Sequence, residues 1–567
     1  MKKTISIGIQ GFSDLREQDC FFVDKTNFIK EWWENRDVVT LITRPRRFGK
    51  TLNMSMLECF FSKKYANRAD LFEGLSIWQD ETYRKLQGAY PVIFLSFAAV
   101  KAGNLEDAKT QIKQEIARLY RGNRYLMRED VFSENERELY DGTIVNMDDV
   151  MAQDSLRNLS EWMERYYGKK VIILLDEYDT PMQEAYVQGY WDEFTTFVRS
   201  LFNATFKTNP YLERAIMTGI TRVSKESIFS DLNNLRVVTT TSNLYADCFG
   251  FMEEEVFAAL DEYGMGDKKE EVKQWYDGFT FGEHRDIYNP WSITNYLDER
   301  KLYPYWASTS SNGLVSRLIR TSSADVKEKM EDLLNGQEII VNFDEQIVYN
   351  QLDHNVNAIW SLLLASGYLK VKQVDYRGIT REPWYTLDIT NVETLSMFTT
   401  MFQNWFQNQD ANYGYFMKAL IAGDLEAMNY YMNKVALATF SYFDVGSEHG
   451  SDPEPERFYH GFVLGLIAER SGIYMIRSNR ESGFGRYDIM MVPQEREKYP
   501  AIIIEFKVCS RMRKETLEEA VQSALDQITE KNYDAELLAQ GISADRIRHY
   551  GFAFEGKKVL IGQDEKA

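Results

Sequence analysis

The chain has 567 residues, with 66 Lys and Arg against 86 Asp and Glu, giving a formal charge of −20; it is 44% apolar and 27% charged. That balance excludes a broadly disordered chain and a protein that coats nucleic acid wholesale, and it predicts about three or four domains at roughly 150 residues each. No apolar run approaches the ~20 residues of a membrane span, the N-terminus lacks a signal peptide's apolar block, and Cys20, Cys59, Cys248 and Cys509 are too scattered for a disulfide framework or zinc site, so a reducing cytoplasm is the expected compartment.

In chain order, Val38–Ile42 predicts a buried strand followed by the loop Thr43–Gly49 and a helix from Lys50 to about Phe61. Val92–Phe97, Val171–Leu175 and Arg214–Thr218 predict three more strands, with a helix over Glu106–Tyr120. Strands separated by helical stretches point to a mostly parallel sheet covered on both faces. From Gly250 to Glu299 the pattern is helical, broken by aromatic-rich Trp275–Pro290. A helix over Ile359–Ser366 followed by Tyr368–Val371 and Trp384–Ile389 has the order of a winged helix, with Ile339–Val341 as a further strand. The polar loop Asp444–Glu456 marks the best domain boundary. Beyond it, a helix over Arg457–Glu469, strands near Tyr474–Ser478, Arg486–Val492 and Ala501–Val508, a helix over Glu515–Thr529 and a strand near Tyr550–Phe554 form a small α/β unit. Proline is scarce and no Gly/Ser-rich linker occurs, so the domains are expected to pack on one another.

The segment Thr43-Arg-Pro-Arg-Arg-Phe-Gly-Lys-Thr51 lies between strand and helix, the context a phosphate-binding loop requires. Backbone N–H groups at the helix start face an anion, Lys50 reaches the β- and γ-phosphates, and the Thr51 hydroxyl ligates Mg²⁺. The nucleotide-binding set is Arg44, Arg46, Arg47, Phe48, Gly49, Lys50 and Thr51. Arg44 stands where the usual pattern has glycine, and Arg44, Arg46 and Arg47 are expected to supply positive charge instead. A basic turn ending in GKT has a plain structural reading when taken alone. The strand Val171–Asp176 followed by Glu177, a Walker B form, shifts the balance: Asp176 holds Mg²⁺ and Glu177 orients or deprotonates the attacking water. After the fourth strand, Thr218 could sense the γ-phosphate and Arg222 contact it, against the plainer reading of a strand end and helix cap.

A second constellation lies near the C-terminus: Asp488, then Glu505-Phe506-Lys507. Residues i and i+2 of a strand share a face, so Glu505 and Lys507 point together, and a hairpin of the two strands brings Asp488 to Glu505. Two carboxylates with Mg²⁺ or Mn²⁺ polarise a phosphodiester, and Lys507 orients water or stabilises developing charge. Glu456 and His460 share one face of the preceding helix, and Gln527 and Tyr533 follow. A lone Glu-x-Lys on a strand is usually structural; the ordered set of Glu456, Asp488, Glu505, Lys507 and Gln527 is what favours chemistry.

Together these segments resemble a bacterial family that joins a predicted AAA-type ATPase to a nuclease-like domain of the PD-(D/E)XK superfamily. The resemblance spans nearly the whole chain and is carried by Phe22–Thr26, Leu41–Thr51, Leu175–Asp179, Met217–Arg222, Tyr276–Phe279, Tyr288–Trp291 and Ile504–Lys507. It makes the missing glycine a family trait. It implies an α/β architecture of three parts: a P-loop ATPase with a parallel sheet over 1–250, a helical and winged-helix-like middle over 251–440, and a small restriction-endonuclease-like domain over 441–567. It also implies ATP bound through Lys50 and Thr51, Mg²⁺ at Asp176, and a nuclease metal site from Asp488, Glu505 and Lys507 supported by Glu456 and Gln527. Tyr487 replaces the superfamily's proline, a tolerated departure.

The leading expectation is an ATPase coupled to a metal-dependent nuclease acting on DNA or RNA, with no membrane partner; an oligomer is open, since no residue identifies itself as an arginine finger. The alternatives are a nucleotide-dependent switch whose nuclease-like fold binds nucleic acid or protein without cleavage, and a slow ATPase with no nucleic-acid role. The aromatics of Trp275–Trp291 are expected to form a core rather than a base-stacking platform. Basic residues cluster at the two sites, Arg44, Arg46, Arg47 and Lys50 at one, Lys507, Arg511, Arg513 and Lys514 at the other, so the overall charge limits long-range attraction without excluding a local, metal-assisted contact.

Overall fold

A computed structural model describes residues 2–128, 131–145, 147–222, 228–229, 232–307, 313–334, 336–344, 349, 352, 355, 357–407, 412–439, 463, 467, 473–482, 485–509, 515–556 and 558–564. Glu456, His460, Arg511, Arg513, Lys514 and the boundary loop Asp444–Glu456 lie outside these residues. The chain divides into two compact units, one of residues 1–315 with 338–395, the other of 316–337 with 396–567.

In the first unit, β1 (Val39–Thr43), β2 (Val92–Ser96), β3 (Val171–Asp176), β4 (Leu212–Gly219) and β5 (Leu235–Val238) form a parallel sheet in the order β2-β3-β4-β1-β5. β1 and β3 are buried along their whole length, which is why they read as unbroken apolar runs and not as alternation. The strand order has a functional consequence. β4 lies between β1 and β3, so the residues at its C-terminal end stand between the phosphate-type loop and the acidic strand end.

Two smaller sheets flank this core. β6 (Phe251–Met252), β7 (Phe279–Phe281) and β8 (His284–Tyr288) pair in the order β6-β8-β7. Tyr276, Phe279, Phe281 and Tyr288 are all buried there, so these aromatics are core and carry no exposed stacking platform. β9 (Ile339–Val341), β10 (Leu369–Arg377) and β11 (Glu382–Ile389) pair in the order β10-β11-β9, behind the helix Ala358–Ala365.

In the second unit, β12 (Tyr474–Ser482), β13 (Gly485–Pro493), β14 (Ala501–Val508), β15 (Ile547–Glu555) and β16 (Lys558–Gln563) form a mixed sheet in sequential order, with only β14 and β15 parallel. The helix Leu517–Glu530 is the crossover between those two strands. The packing divides the chain elsewhere than the polar loop suggests. Helices Asn412–Ala422 and Leu425–Thr439 join the C-terminal sheet, burying Phe416, Met417, Leu420, Met428 and Met432 against Tyr474, Ile489, Phe506 and Phe552. A mixed sheet has two faces to cover, and helix 517–530 covers only one.

Candidate nucleotide and metal sites

The first site forms where β1 ends. Gly49 adopts φ +77°, a left-handed conformation that suits glycine, and opens the helix Lys50–Phe61. The Lys50 ammonium turns back into the loop and donates to the carbonyls of Arg44 (2.9 Å) and Pro45 (2.8 Å). Burial pulls its pKa down to about 8, against the opposing pull of Glu177, Asp179 and Asp176. The Thr51 hydroxyl donates to Asp176 Oδ2 at 2.7 Å, and the Thr218 hydroxyl donates to Asp176 Oδ1. Asp176 is buried, and the loss of solvent raises its pKa. Two strands, β3 and β4, and the helix Lys50–Phe61 therefore converge on a single carboxylate. Thr51 and Asp176 offer a hydroxyl and a carboxylate oxygen side by side, a hard donor pair that fits Mg²⁺.

Glu177 follows with φ +50°, its carboxylate accepting from the Thr180 hydroxyl at 3.1 Å. Asp179, which the sequence reading left without a role, is buried and accepts from Ile220 N (2.9 Å), Thr221 N (2.8 Å) and the Thr221 hydroxyl (2.9 Å). It ties the turn after β3 to the end of β4. Its sequence signal is its place two residues past the Asp-Glu pair, at the end of the segment Leu175–Asp179 that carries part of the resemblance.

The three arginines part company. Arg44, expected to bring charge to phosphate, is buried instead, with its guanidinium donating to the carbonyls of Thr43, Thr239, Leu244 and Tyr245 and lying 4.5 Å from the Phe281 ring centroid. Burial pulls its pKa down to about 9. Its side chain runs to the segment after β5, where the charge it carries holds backbone carbonyls together. Arg47 is exposed over the Trp291 ring at 4.2 Å. Arg46 lines a cavity of about 40 Å³ with Gln183, Ile220, Thr221, Trp306 and Tyr368. Phe48 is buried between Phe279 and Phe281. Arg222 lies apart from Asp176's partners, lining a smaller cavity beside Thr43, Thr239 and Phe343.

The loop is also held from outside. The Arg46 carbonyl accepts from Asn289 Nδ2 (3.3 Å) and Trp306 Nε1 (3.1 Å), and a Cβ on Gly367, at φ +83°, would stand 2.8 Å from Pro45. Glu393 is buried behind this contact and accepts from the Trp306 N–H (2.6 Å) and the Ser292 hydroxyl (2.9 Å). Burial pushes its pKa up to about 7.

The second site sits where β13 and β14 part. Their last pair is Ile489 with Ile504, so Asp488 and Glu505 are the next residues along. There Asp488 Oδ2 accepts from the Phe506 N–H at 2.8 Å, substituting for a ladder bond. Glu505 is buried; its Oε1 accepts from Gln527 Nε2 and lies 3.7 Å from the Lys507 ammonium. Lys507 donates to Gln527 Oε1 at 2.8 Å, so one amide bridges acid and base. Gln527 also donates to the Tyr533 hydroxyl (3.1 Å), which donates to the Arg486 carbonyl (2.7 Å). Burial raises the Tyr533 pKa, with the Glu505 and Asp488 charges adding to the shift. Asp488, Glu505, Lys507 and Gln527 are thus brought together, and Tyr533 closes the group. The carboxylates of Asp488 and Glu505, on adjoining strands, are hard oxygen donors of the kind that fits Mg²⁺ or Mn²⁺.

No helix among the described residues is long and apolar enough to cross a membrane. The chain is 26% identical over 395 residues to an uncharacterized protein in the vnfD 5′ region of Azotobacter chroococcum mcd 1, across 69% of this chain and 68% of that one. Residues 6–229 match the predicted AAA-ATPase family, which covers the parallel sheet through β4, and residues 454–564 match the PD-(D/E)XK nuclease superfamily, which covers the mixed sheet. The chain joins an AAA-ATPase-like domain to a C-terminal domain of the PD-(D/E)XK nuclease superfamily.

Proposed function

We propose that the protein binds and hydrolyses ATP with Mg²⁺ and couples that cycle to a metal-dependent phosphodiesterase that cuts DNA or RNA. The observation that carries the reading is the two separate groups, Thr51–Asp176–Thr218 and Asp488–Glu505–Lys507–Gln527, each a carboxylate centre held by neighbours from different elements. Bound Mg²⁺ would neutralise phosphate charge at both and lower the pKa of an attacking water.

At the first site Lys50 is placed to exchange the carbonyls of Arg44 and Pro45 for phosphate oxygens. Asp176 and Thr51 present the metal-facing oxygens, and Thr218 holds the carboxylate's other oxygen in place. Glu177, at the strand end, receives the water's proton. At the second site Asp488 and Glu505 are the metal-facing acids, and Lys507, aligned by Gln527, stabilises the charge that develops on the phosphodiester. Glu456 is proposed as a further support for this centre.

The test is cleavage of mixed DNA and RNA with Mg²⁺ or Mn²⁺, with and without ATP, beside a phosphate-release assay. Asp488→Ala or Glu505→Ala should abolish cleavage and spare phosphate release; Glu177→Gln should stop phosphate release and retain ATP binding. Absence of cleavage by the wild type, or equal cleavage by the Asp488→Ala and Glu505→Ala variants, sinks the nuclease assignment. Undiminished phosphate release by Glu177→Gln sinks that residue's role.

A further inference from the structure

The β10–β11 ribbon leaves the core after the pair Val371 with Leu387, and its outer part is exposed from Lys372 to Glu382 apart from half-buried Asp375. Cross-strand partners share a face. Asp375, Arg377, Glu382 and Trp384 stand on one side; Val374, Tyr376, Pro383 and Tyr385 on the other. The Arg377 guanidinium lies 4.5 Å from the Trp384 ring centroid, and the Arg381 guanidinium 5.4 Å from that of Tyr376. Each cation is therefore laid on an aromatic face, one on each side of the ribbon. Neither takes part in an ion pair among the described residues; Asp375 accepts from Gln373 and Glu382 from Thr380.

Between the two arginines comes the tip, Gly378-Ile379-Thr380, with Gly378 at φ +70° and Ile379 fully exposed. Turn tips favour Gly, Asn, Asp, Ser and Pro, and a branched apolar side chain in water contributes nothing to the fold. The helix before the ribbon, Ala358–Ala365, cannot serve as a groove-reading helix: it is apolar, lacks a basic residue and is buried from Ala358 to Leu364. The ribbon carries four basic residues (Lys370, Lys372, Arg377, Arg381) against three acidic ones (Asp375, Glu382, Asp388), in a chain whose net charge is −20. Lys370 lies 3.9 Å from Asp388 and Lys372 3.6 Å from Glu338, so Arg377 and Arg381 are the ribbon's cations left to meet a polyanion.

We propose that this ribbon is a docking site for duplex nucleic acid, with Arg377 and Arg381 on the phosphate chains bordering the minor groove and Ile379 inserted as an apolar wedge. Phosphate contacts fix position, and an apolar wedge partly unstacks and bends the duplex. Single strands suit the ribbon less, because the faces of Trp384 and Tyr376 that would stack on bases are already covered by guanidinium. The choice of nucleic acid as ligand rests on the proposed function; the ribbon geometry does not.

The test is fluorescence anisotropy of the full chain with a fluorescein-labelled DNA duplex in EDTA, so that binding is read without cleavage. Arg377→Ala with Arg381→Ala should weaken binding at least about tenfold and reduce the slope of log affinity against log salt by about 2. Ile379→Ser should weaken it several-fold and remove the bend seen by energy transfer between the duplex ends. A wild type that binds no duplex, variants that bind like wild type, or Ile379-dependent binding to anionic vesicles with no effect on duplex binding would each overturn the site. The two proposals fail separately. Ribbon-dependent duplex binding by a chain that cuts nothing with metal and ATP removes the enzyme and leaves the ribbon. Cleavage with duplex binding that ignores the ribbon variants does the reverse.

Discussion

The two acidic centres are built in opposite ways. At the first, lysine and acid are held apart: Lys50 by backbone carbonyls of its own loop, Asp176 by two threonine hydroxyls, with no hydrogen-bond partner in common. At the second, lysine and acid share a partner, since the Gln527 amide donates to Glu505 and accepts from Lys507. A site that must admit a triphosphate needs a lysine that can let go of its resting partners without disturbing the metal-facing acid. A site that works on a phosphodiester from outside gains from a fixed acid–base pair.

The largest expected effect breaks the first arrangement outright. Lys50→Ala should lower ATP turnover by on the order of 10²–10³-fold, the scale of removing one preorganised charge-stabilising group. The Thr51 and Thr218 bonds to Asp176 do not run through Lys50, so the fold of the unit should survive, as its thermal midpoint would report. Wild-type turnover in Lys50→Ala would show that the lysine belongs to the loop's architecture alone.

A second test uses the loop's outer support, which has no counterpart described at the other centre. Glu393 titrates near 4.5 when exposed and at about 7 in the fold. Between those pH values the folded state holds a proton that the unfolded chain has released. Its contribution to stability is therefore complete below about pH 4.5, is lost as pH rises towards 7, and is constant above. The shift corresponds to about 3 kcal/mol between the two protonation states. Glu393→Gln keeps the acceptor for Trp306 N–H and cannot ionise. Chemical denaturation across this range should show wild type losing stability relative to the variant by up to about 3 kcal/mol as pH rises. A pH-independent difference between the two proteins would refute the buried, protonated carboxyl.

What the sequence made legible was local. Strand–loop–GKT, the apolar strand into Asp176-Glu177 and the strand around Glu505-Phe506-Lys507 each declare themselves within a dozen residues, because buried parallel strands read as continuous apolar runs. What it hid was long-range. The insertion of β4 between β1 and β3 puts Thr218 on Asp176, and spacing along the chain does not encode strand order. Arg44 looked like a phosphate ligand because its charge was visible and its four carbonyl partners, two of them near residue 245, were not. The Met-rich helices of 412–439 carry a generic apolar pattern that says nothing about which sheet they cover.

The smallest effect tests the comparison most directly. Substitutions that share no partner add within about 0.5 kcal/mol, whereas residues in one hydrogen-bond network deviate by 0.5–3 kcal/mol, typically about 1–2. In a double-mutant cycle by urea denaturation, Lys507→Met and Gln527→Leu should be non-additive: removing Lys507 leaves the Gln527 carbonyl without its 2.8 Å donor, and removing Gln527 costs both Lys507 and Glu505 a partner. Once either is gone, the second loss is smaller, so the double variant should lose about 1–2 kcal/mol less than the sum of the two single variants. The cycle of Lys50→Met with Thr218→Val should be closer to additive, because Lys50 bonds to the carbonyls of Arg44 and Pro45, Thr218 bonds to Asp176, and the two meet only through the charge of Asp176. Equal coupling in the two cycles would mean that the shared amide is incidental and that the two centres are held by one principle; coupling confined to the second would place the difference between them in the Gln527 side chain.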